Sequence, residues 1–331
     1  MTDKPTNEDF LRQADPMRRE LLAHCYRMMG SVHDAEDLVQ ETYLRAWRAY
    51  DGFEGRSSLR TWLYRIATTT CLTALESRGR RPLPTGLGAP STEATAPLVR
   101  DTEVPWLEPV PDALAGAGAD DPAAIVTSRE SIRLALIAAL QHLPPRQRAV
   151  LVLRDVLRWK AAEVAEAVGV STAAVNSILQ RARAQLKDVS PTMDDPVEPL
   201  TREQREQLDR YVAAFENYDI DSLVHLFTED AVWEMPPFTG WYQGPRAIAE
   251  LVKVRCPAEK AGDLRLVPIE ANGQPGFALY HLEEGVHRRF GLMVMTFTGE
   301  RVSHVGMFFD LRLFDTFGLP ETLPAEASAT K

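Results

Sequence analysis

Apolar residues along this chain change their period between segments. In the first eighty residues and again from 128 to 188 they recur every three or four positions, the spacing of helices that bury one side; beyond residue 200 they alternate or run together as in strands. Between these blocks, 82 to 127 and 189 to 200 carry no period. In the stretch 34 to 47 the spacing predicts a helix with Leu38, Tyr43, Leu44 and Trp47 inward and Asp37, Gln40 and Glu41 outward as an acidic patch. In the stretch 59 to 67, Arg60 and Arg65 alternate with Trp62 and Tyr64. Cations beside flat rings are suited to gripping a phosphate chain and stacking an exposed base.

The block 128 to 188 reads as helical throughout. A first helix from Ser128 carries Ile132, Leu136, Leu140 and Leu143 and stops at Pro144-Pro145; a second, 146 to 157, carries Val150, Leu151 and Leu153. Residues 160 to 186 then read as a helix-turn-helix. Ala165 is small where two helices cross, Gly169 can take the positive φ of the turn, Ser171 is placed as N-cap, and Val175 with Ile178 or Leu179 faces inward. In such a pair the second helix presents its N-terminal residues to base edges and its flanking cations to phosphates, which singles out Ser171, Thr172, Ala174, Asn176, Ser177, Gln180, Arg181 and Arg183.

After a proline-broken connector the plan changes again. Helices are expected over 201 to 217, with Leu208, Val212 and Phe215 inward, and over 220 to 227. Strands are expected over 231 to 235, 264 to 271, 277 to 283, 286 to 297 and 302 to 311, several joined by Gly-containing turns. The predicted fold class is therefore multi-domain: two all-α modules (8 to 81 and 128 to 188) followed by an α+β domain with a curved antiparallel sheet (201 to 318) and a short tail (319 to 331).

Length and charge sharpen this picture. A chain of 331 residues exceeds one ordinary domain, and 45% hydrophobic with 25% charged residues suits globular cores. Its apolar runs, such as 134 to 140 and 292 to 297, are far too short for a bilayer and no signal segment opens the chain, so a cytoplasmic, membrane-free protein is expected. Cys25, Cys71 and Cys256 form no Cys-x-x-Cys pair, so neither a disulfide framework nor a thiolate metal site is expected. The formal net charge is -10, which looks wrong for nucleic-acid binding until it is divided. Residues 1 to 81 carry +1, residues 82 to 127 carry -6, residues 128 to 188 carry +5 and the remainder -10. Phosphate attraction depends on the local field, which favours the third block. The Pro- and Gly-rich acidic segment 82 to 127 reads as a solvated tether, because its composition cannot bury enough surface to offset its ordering entropy.

The sequences Asp34-Ala-Glu-Asp-Leu-Val-Gln-Glu-Thr-Tyr-Leu-Arg-Ala-Trp47 and Leu59-Arg-Thr-Trp-Leu-Tyr-Arg-Ile-Ala67, in this order ahead of a helix-turn-helix, resemble the extracytoplasmic function (ECF) sigma factors. That resemblance implies docking on the clamp helices of the largest RNA polymerase subunit through Asp37, Gln40, Glu41 and Tyr43. It also implies contacts to the flap of the second largest subunit through Arg146 and its helix. Phe53, Arg56, Ser57, Arg60, Trp62, Arg65 and Thr69 would meet the minus-ten element of promoter DNA, and the helix-turn-helix the minus-thirty-five element. The segment 82 to 127 would thread the active-site cleft and RNA exit channel. One departure is visible: Val175-Asn-Ser-Ile-Leu-Gln-Arg-Ala-Arg183 lacks two cations and a His common at this place in the family, so reliance on phosphates should fall there.

The third block, with Asp230-Ala-Val-Trp233, Met235-Pro-Pro237 and Gly244-Pro-Arg-Ala-Ile248, resembles SnoaL-like domains of the nuclear transport factor two cone. Relatives of that fold hold small hydrophobic ligands in the mouth of the cone, which makes Trp233, Met235, Phe238, Trp241, His287, His304 and Phe308 the candidate lining. No acid/base pair or metal-ligand spacing stands out, so neither catalysis nor a cofactor is expected. The resemblance implies instead a fused regulator that packs on the DNA-reading modules, with the tail from Phe314 to Pro324 reaching back, in place of a separate anti-sigma protein. The competing reading is a ligand-responsive or enzymatic SnoaL-like domain tethered to a DNA-binding part.

Overall fold

The computed structural model describes residues 7–115, 131–189 and 200–324. Contacts divide the chain into two compact units: Met1–Arg81 with Leu107–Val197, and Pro82–Trp106 with Glu198–Lys331.

The first unit is all-helical: α1 (Asn7–Ala14), α2 (Arg18–Met29), α3 (Val32–Ala49), α4 (Leu59–Glu76), the single turn α5 (Asp112–Ala115), α6 (Leu134–Leu140), α7 (Pro145–Leu151), α8 (Ala161–Val168) and α9 (Thr172–Val189). Helix α2 lies at its centre. Every residue from Leu21 to Met29 is buried, because α3, α4, α5, α6 and α7 surround it. Gly30 ends α2 at φ +69, and a Cβ there would also meet the Gln141 amide at 2.9 Å, so both backbone and space call for glycine. Ser31 and Ser58 cap α3 and α4 by accepting from the amides of Asp34 and Thr61 at 3.1 Å.

One predicted boundary moves, and another, the helix start at Ser128, lies outside the described residues. Among those described the helix runs Leu134–Leu140, and ahead of it the Ser131 carbonyl and hydroxyl accept from the buried Arg27 guanidinium at 3.1 and 2.6 Å. The stretch 146 to 157 is helical only to Leu151 and then widens over Val152–Val156, where the Leu157 amide bonds back to the Val152 carbonyl.

Inside this core His24 faces Thr68. The Thr68 hydroxyl donates to the Tyr64 carbonyl at 2.7 Å, so toward His24 Nε2, 2.9 Å away, it must accept; the imidazole therefore carries its proton on Nε2. Burial first, and the Arg27 charge second, hold the His24 pKa down at about 3 from 6.5. Between those values the unfolded chain binds the extra proton, so stability present above pH 6.5 drains as pH falls. At roughly 1.4 kcal/mol per pH unit, the first unit should lose about 2 kcal/mol between pH 6.5 and pH 5. Denaturant unfolding read through hydrogen exchange of the α2 amides checks this, and His24→Gln should flatten the profile; an equal slope in both proteins would remove His24 as the cause.

The second unit is α+β: α10 (Arg202–Glu216), α11 (Ile220–Val224), α12 (Pro245–Arg255) and α13 (Arg312–Thr316) with a seven-stranded sheet. Its strands are β1 (Phe227–Glu234), β2 (Trp241–Gln243), β3 (Leu264–Ala271), β4 (Gln274–Glu283), β5 (Val286–Thr298), β6 (Arg301–Phe308) and β7 (Thr322–Pro324). They run in the order β2-β1-β6-β5-β4-β3, with β7 added to β5. All pairs are antiparallel except β1 with β6, the long-range closure that joins the first strand to the last long one. Strand β6 stops at Phe308, short of the predicted 311, because Asp310 accepts from the Arg312 amide at 3.0 Å and starts α13. The helices cover an apolar face built from Trp233, Met235, Phe277, Met293, Met295 and Met307, with Tyr211 and Phe215 of α10 in the same cluster.

The expectation of a solvated tether between the helical modules fails for its described residues. Residues 82 to 106 are not a solvated tether but fold onto the second unit, as Ala94 enters its core cluster and Leu98 packs against it. Residues 107 to 115 belong to the first unit, where Leu107, Val110 and Ala115 are buried and Tyr26 donates to the Glu108 carbonyl at 2.7 Å. The described part of the tail, expected to reach back, adds β7 to β5 within the second unit, with Tyr280 donating to the Pro320 carbonyl at 2.9 Å. The remainder of both predicted linkers, 116 to 127 and 190 to 199, residues 128 to 130 of the helical block, and the tail beyond 324 lie outside the described residues.

Candidate functional site

Helix α3 presents its functional face by a division of side-chain sizes. Its buried stripe is Ala35, Val39, Thr42 and Ala46, all small, together with Leu38. The large apolar residues go the other way: Leu44 is 48% and Trp47 44% exposed, contrary to the inward placement predicted for them. They join Asp37 and Gln40, both exposed, and half-buried Glu41 on one outer face, so the expected acidic patch is an acidic-apolar one. Glu41 is partly neutralised by Arg45, 2.6 Å away one turn on. Tyr43 stands apart from this face: its hydroxyl donates to the Ala14 carbonyl at 2.8 Å, and burial leads the causes that raise its pKa to about 12.

Helix α4 and the loop before it gather Tyr50, Phe53 and Trp62, with the Phe53 and Trp62 rings 4.8 Å apart. Phe53, Trp62 and Ser57 are half-buried and Arg56 is exposed. Tyr64 does not join them. It is fully buried, edge-on to His24 and to Trp159, with its hydroxyl 3.3 Å from Glu20, so it is a core residue and not a stacking platform. The α4 cations are occupied: Arg60 pairs with Glu20 at 2.6 Å and lies over the Tyr64 ring at 5.0 Å, and Arg65 pairs with Glu166 of α8 at 2.6 Å. Thr69 is exposed but its hydroxyl donates to the Arg65 carbonyl at 2.9 Å.

The helix-turn-helix forms as expected. Gly169 takes φ +70 between α8 and α9, the Ser171 hydroxyl accepts from the Ala174 amide at 3.2 Å, and Val175 and Leu179 point inward while Ile178 is half-exposed. Ser171, Thr172, Asn176, Ser177, Gln180, Arg181 and Arg183 are exposed and Ala174 half-buried. Asn176, Gln180 and Arg183 line an open groove of ≈ 340 Å³ with Arg154 and Leu179. Asp155 grips Arg183 through two bonds of 2.9 and 2.6 Å and raises its pKa. Arg146 is exposed, whereas Arg148 two residues on is buried and bonded to Gln141 Oε1 at 2.8 Å and to the Met28 carbonyl. Burial pulls its pKa down to about 10.

In the second unit the predicted lining separates. Trp233 and Met235 lie within the hydrophobic cluster, and Phe238 packs against it. Trp241 is half-buried with its indole N–H donating to the Gly88 carbonyl at 2.9 Å. His287 sits where β5 pairs with β7, its Nε2 3.0 Å from the Gly262 carbonyl. Phe308 is buried at the end of β6. The residue that pattern reading passed over is Glu234, 1% exposed, with Oε1 2.6 Å from His304 Nε2 and Oε2 accepting from the Thr85 amide at 2.9 Å. A carboxylate in the middle of an apolar strand motif was the available signal, since such a group is retained only with partners.

Residues 15–81 match the family model described as Sigma-70 region 2, residues 133–186 that of Sigma-70, region 4, and residues 208–310 that of the SnoaL-like domain. The chain is 61% identical over 316 residues to the ECF RNA polymerase sigma factor SigG of Mycobacterium tuberculosis (strain ATCC 25618 / H37Rv), covering 95% of this chain and 85% of that protein. It is 32% identical over 220 residues to SigJ of the same organism, covering 66% of this chain and 62% of that protein. The crystal structure of M. tuberculosis SigJ covers 94% of this chain and 100% of its own with a TM-score of 0.59 at 22% identity, a likeness of fold. No helix among the described residues is long and apolar enough to cross a membrane.

Proposed function

This chain belongs to the ECF RNA polymerase sigma factors, which are transcription initiation factors rather than enzymes, and carries a SnoaL-like domain behind the two sigma modules; from that premise we propose how its surfaces divide the work. The α3 face of Asp37, Gln40, Glu41, Leu44 and Trp47 binds core polymerase at the clamp helices, and Arg146 with α7 binds the flap. Phe53, Trp62 and the α4 cations take the minus-ten element, and α9 reads the minus-thirty-five element through Asn176, Ser177 and Gln180, with Arg181 and Arg183 on phosphate. The protein works in the cytoplasm, where polymerase and promoters are.

The observation that carries this reading is the exposed aromatic and aliphatic pair on α3. Large apolar side chains flanked by acids on an otherwise polar helix face mark a protein contact rather than a DNA contact. Pairing of Arg60 with Glu20, Arg65 with Glu166 and Arg183 with Asp155 supports a second element of the proposal: this is a resting form, in which cations meant for phosphate are held by carboxylates. The SnoaL-like domain acts as the regulator of that form in place of a separate anti-sigma protein. A fused domain meets its target at about millimolar effective concentration, so weak contacts suffice.

The alternative, a small-molecule site in the cone, has less support, since Trp233 and Met235 are packed and Glu234 and His304 are bonded to each other. Run-off transcription with purified core polymerase, comparing the full chain with one ending at Val189, tests the regulatory reading. The shortened chain should differ from the full one several-fold in promoter output; equal output at equal core affinity would contradict it.

A further inference from the structure

A helix-turn-helix needs two kinds of group to hold a promoter: side chains for base edges and free cations for phosphates. Helix α9 has the first and is short of the second. Asn176 and Gln180, one turn apart and exposed, have no side-chain partner among the described residues, so their amides are available to bases. Arg183 by contrast is tied to Asp155 through two bonds of 2.9 and 2.6 Å, and Asn176, Ile178 and Gln180 carry no charge. Free charge lies in the turn that leads into α8. Arg158 and Lys160 are exposed, and neither side chain has a hydrogen bond or ion pair among the described residues. Between them Trp159 is 6% exposed, its amide donating to the Leu153 carbonyl at 2.9 Å and its carbonyl accepting from Arg154. Arg154 also lines the α9 groove with Asn176 and Gln180, so the turn is fixed by a wall of that groove. Both cations stand where local structure disfavours them. Arg158 sits at φ +58, a region that suits glycine. Lys160 is the N-cap of α8, makes no capping bond with its side chain and puts positive charge at the positive end of the helix. Residues that break local rules with no gain in stability mark functional positions.

We propose that Arg158 and Lys160 are the phosphate clamp of the DNA-reading module, gripping the duplex backbone beside the groove that α9 enters, so that affinity comes from the turn and sequence choice from α9. The inference deepens the promoter-binding reading above and rests on it. In a helix-turn-helix the helix ahead of the recognition helix crosses the sugar-phosphate backbone, which brings α8 and the two cations at its start against phosphate. Each phosphate neutralised by a cation steepens the fall of log K with log salt by roughly 0.9. The clamp therefore has a readout that a structural turn lacks.

The test uses core polymerase loaded with the full chain, titrated with a labelled promoter duplex across a salt series. Arg158→Gln/Lys160→Gln should bind about 30-fold more weakly at about 0.15 M salt, with a slope of log K on log salt shallower by about 1.8, so that the two lines converge toward about 1 M. The loss should be the same on a duplex whose minus-thirty-five element is scrambled, since phosphates carry no sequence. Arg158→Gly and Lys160→Ser give the turn and the cap the residues that local structure prefers. Each should raise the unfolding midpoint of the chain while lowering affinity about fivefold. An unchanged slope in the double variant would overturn the proposal, and so would a defect traced to weaker assembly with core polymerase rather than to DNA. If the unaltered chain binds promoter and scrambled duplexes equally, base reading by α9 fails, and the slope difference still decides the clamp. Failure of the unaltered chain to join core polymerase would remove the initiation reading and the clamp with it.

Discussion

Replacing Trp47 by alanine should weaken binding to core RNA polymerase about 30-fold or more while leaving the stability of the protein within about 0.5 kcal/mol. The two halves of this expectation come from one geometry. Trp47 is 44% exposed on α3, beyond the buried stripe of Ala35, Val39, Thr42 and Ala46, so the fold gives up little when the ring is removed. An aromatic anchor at the centre of an interface is worth about 2 kcal/mol or more, and every 1.4 kcal/mol is a tenfold change in affinity. Leu44→Ala should follow with a smaller loss. Equilibrium titration of labelled protein with core polymerase, beside a denaturant melt, separates the two quantities. Unchanged affinity in a folded Trp47→Ala protein would remove this face from the interface.

Arg148→Ala should destabilise the first unit by about 3 kcal/mol, a drop of roughly 6 to 12 °C in its melting temperature for a body of this size. The side chain is 3% exposed and its guanidinium serves four acceptors: the side chain and carbonyl of Gln141, the Leu143 carbonyl and the Met28 carbonyl. Alanine leaves those oxygens in a dry interior and opens a cavity besides. The Met28 bond ties α7 to the end of α2, so the loss should also be felt between the two helical modules. Calorimetry of the full chain measures it. The neighbouring Arg146→Ala, at an exposed position, should leave melting unchanged, and equal melting of both variants would show that Arg148 is not part of the core.

Much of this architecture could be read from the amino acids. Strand 264 to 271 falls where alternation placed it, and the cap at Ser171 and the turn at Gly169 follow from residue chemistry alone. Helix α3 was misjudged on one side because size was taken as a guide to burial. Apart from Leu38, its packed stripe is made of Ala, Val and Thr, which let α2 approach closely, and Leu44 and Trp47 are left outside. Tyr64 failed in the opposite sense: alternation of ring and cation looked like a nucleic-acid surface, but α8 and Trp159 close over that ring. The connector was misread for a physical reason as well. Its composition does forbid a core of its own, yet it borrows one from a domain a hundred residues away, and no local pattern records that. Glu234 belongs with it in part: one oxygen is paired with His304 of the same sheet, but the partner of the other, the Thr85 amide, is supplied by the same distant segment.

One helical unit is proposed to bind polymerase through α3 and to open a promoter through α4. Run-off transcription by purified core polymerase across a promoter library, with the full chain and with its Asp37→Lys/Glu41→Lys variant, measures both together. Transcripts from a defined promoter subset are expected with the unaltered chain, and their loss in the variant. Transcripts of equal strength from both, or none from either together with no association with core enzyme, would contradict it.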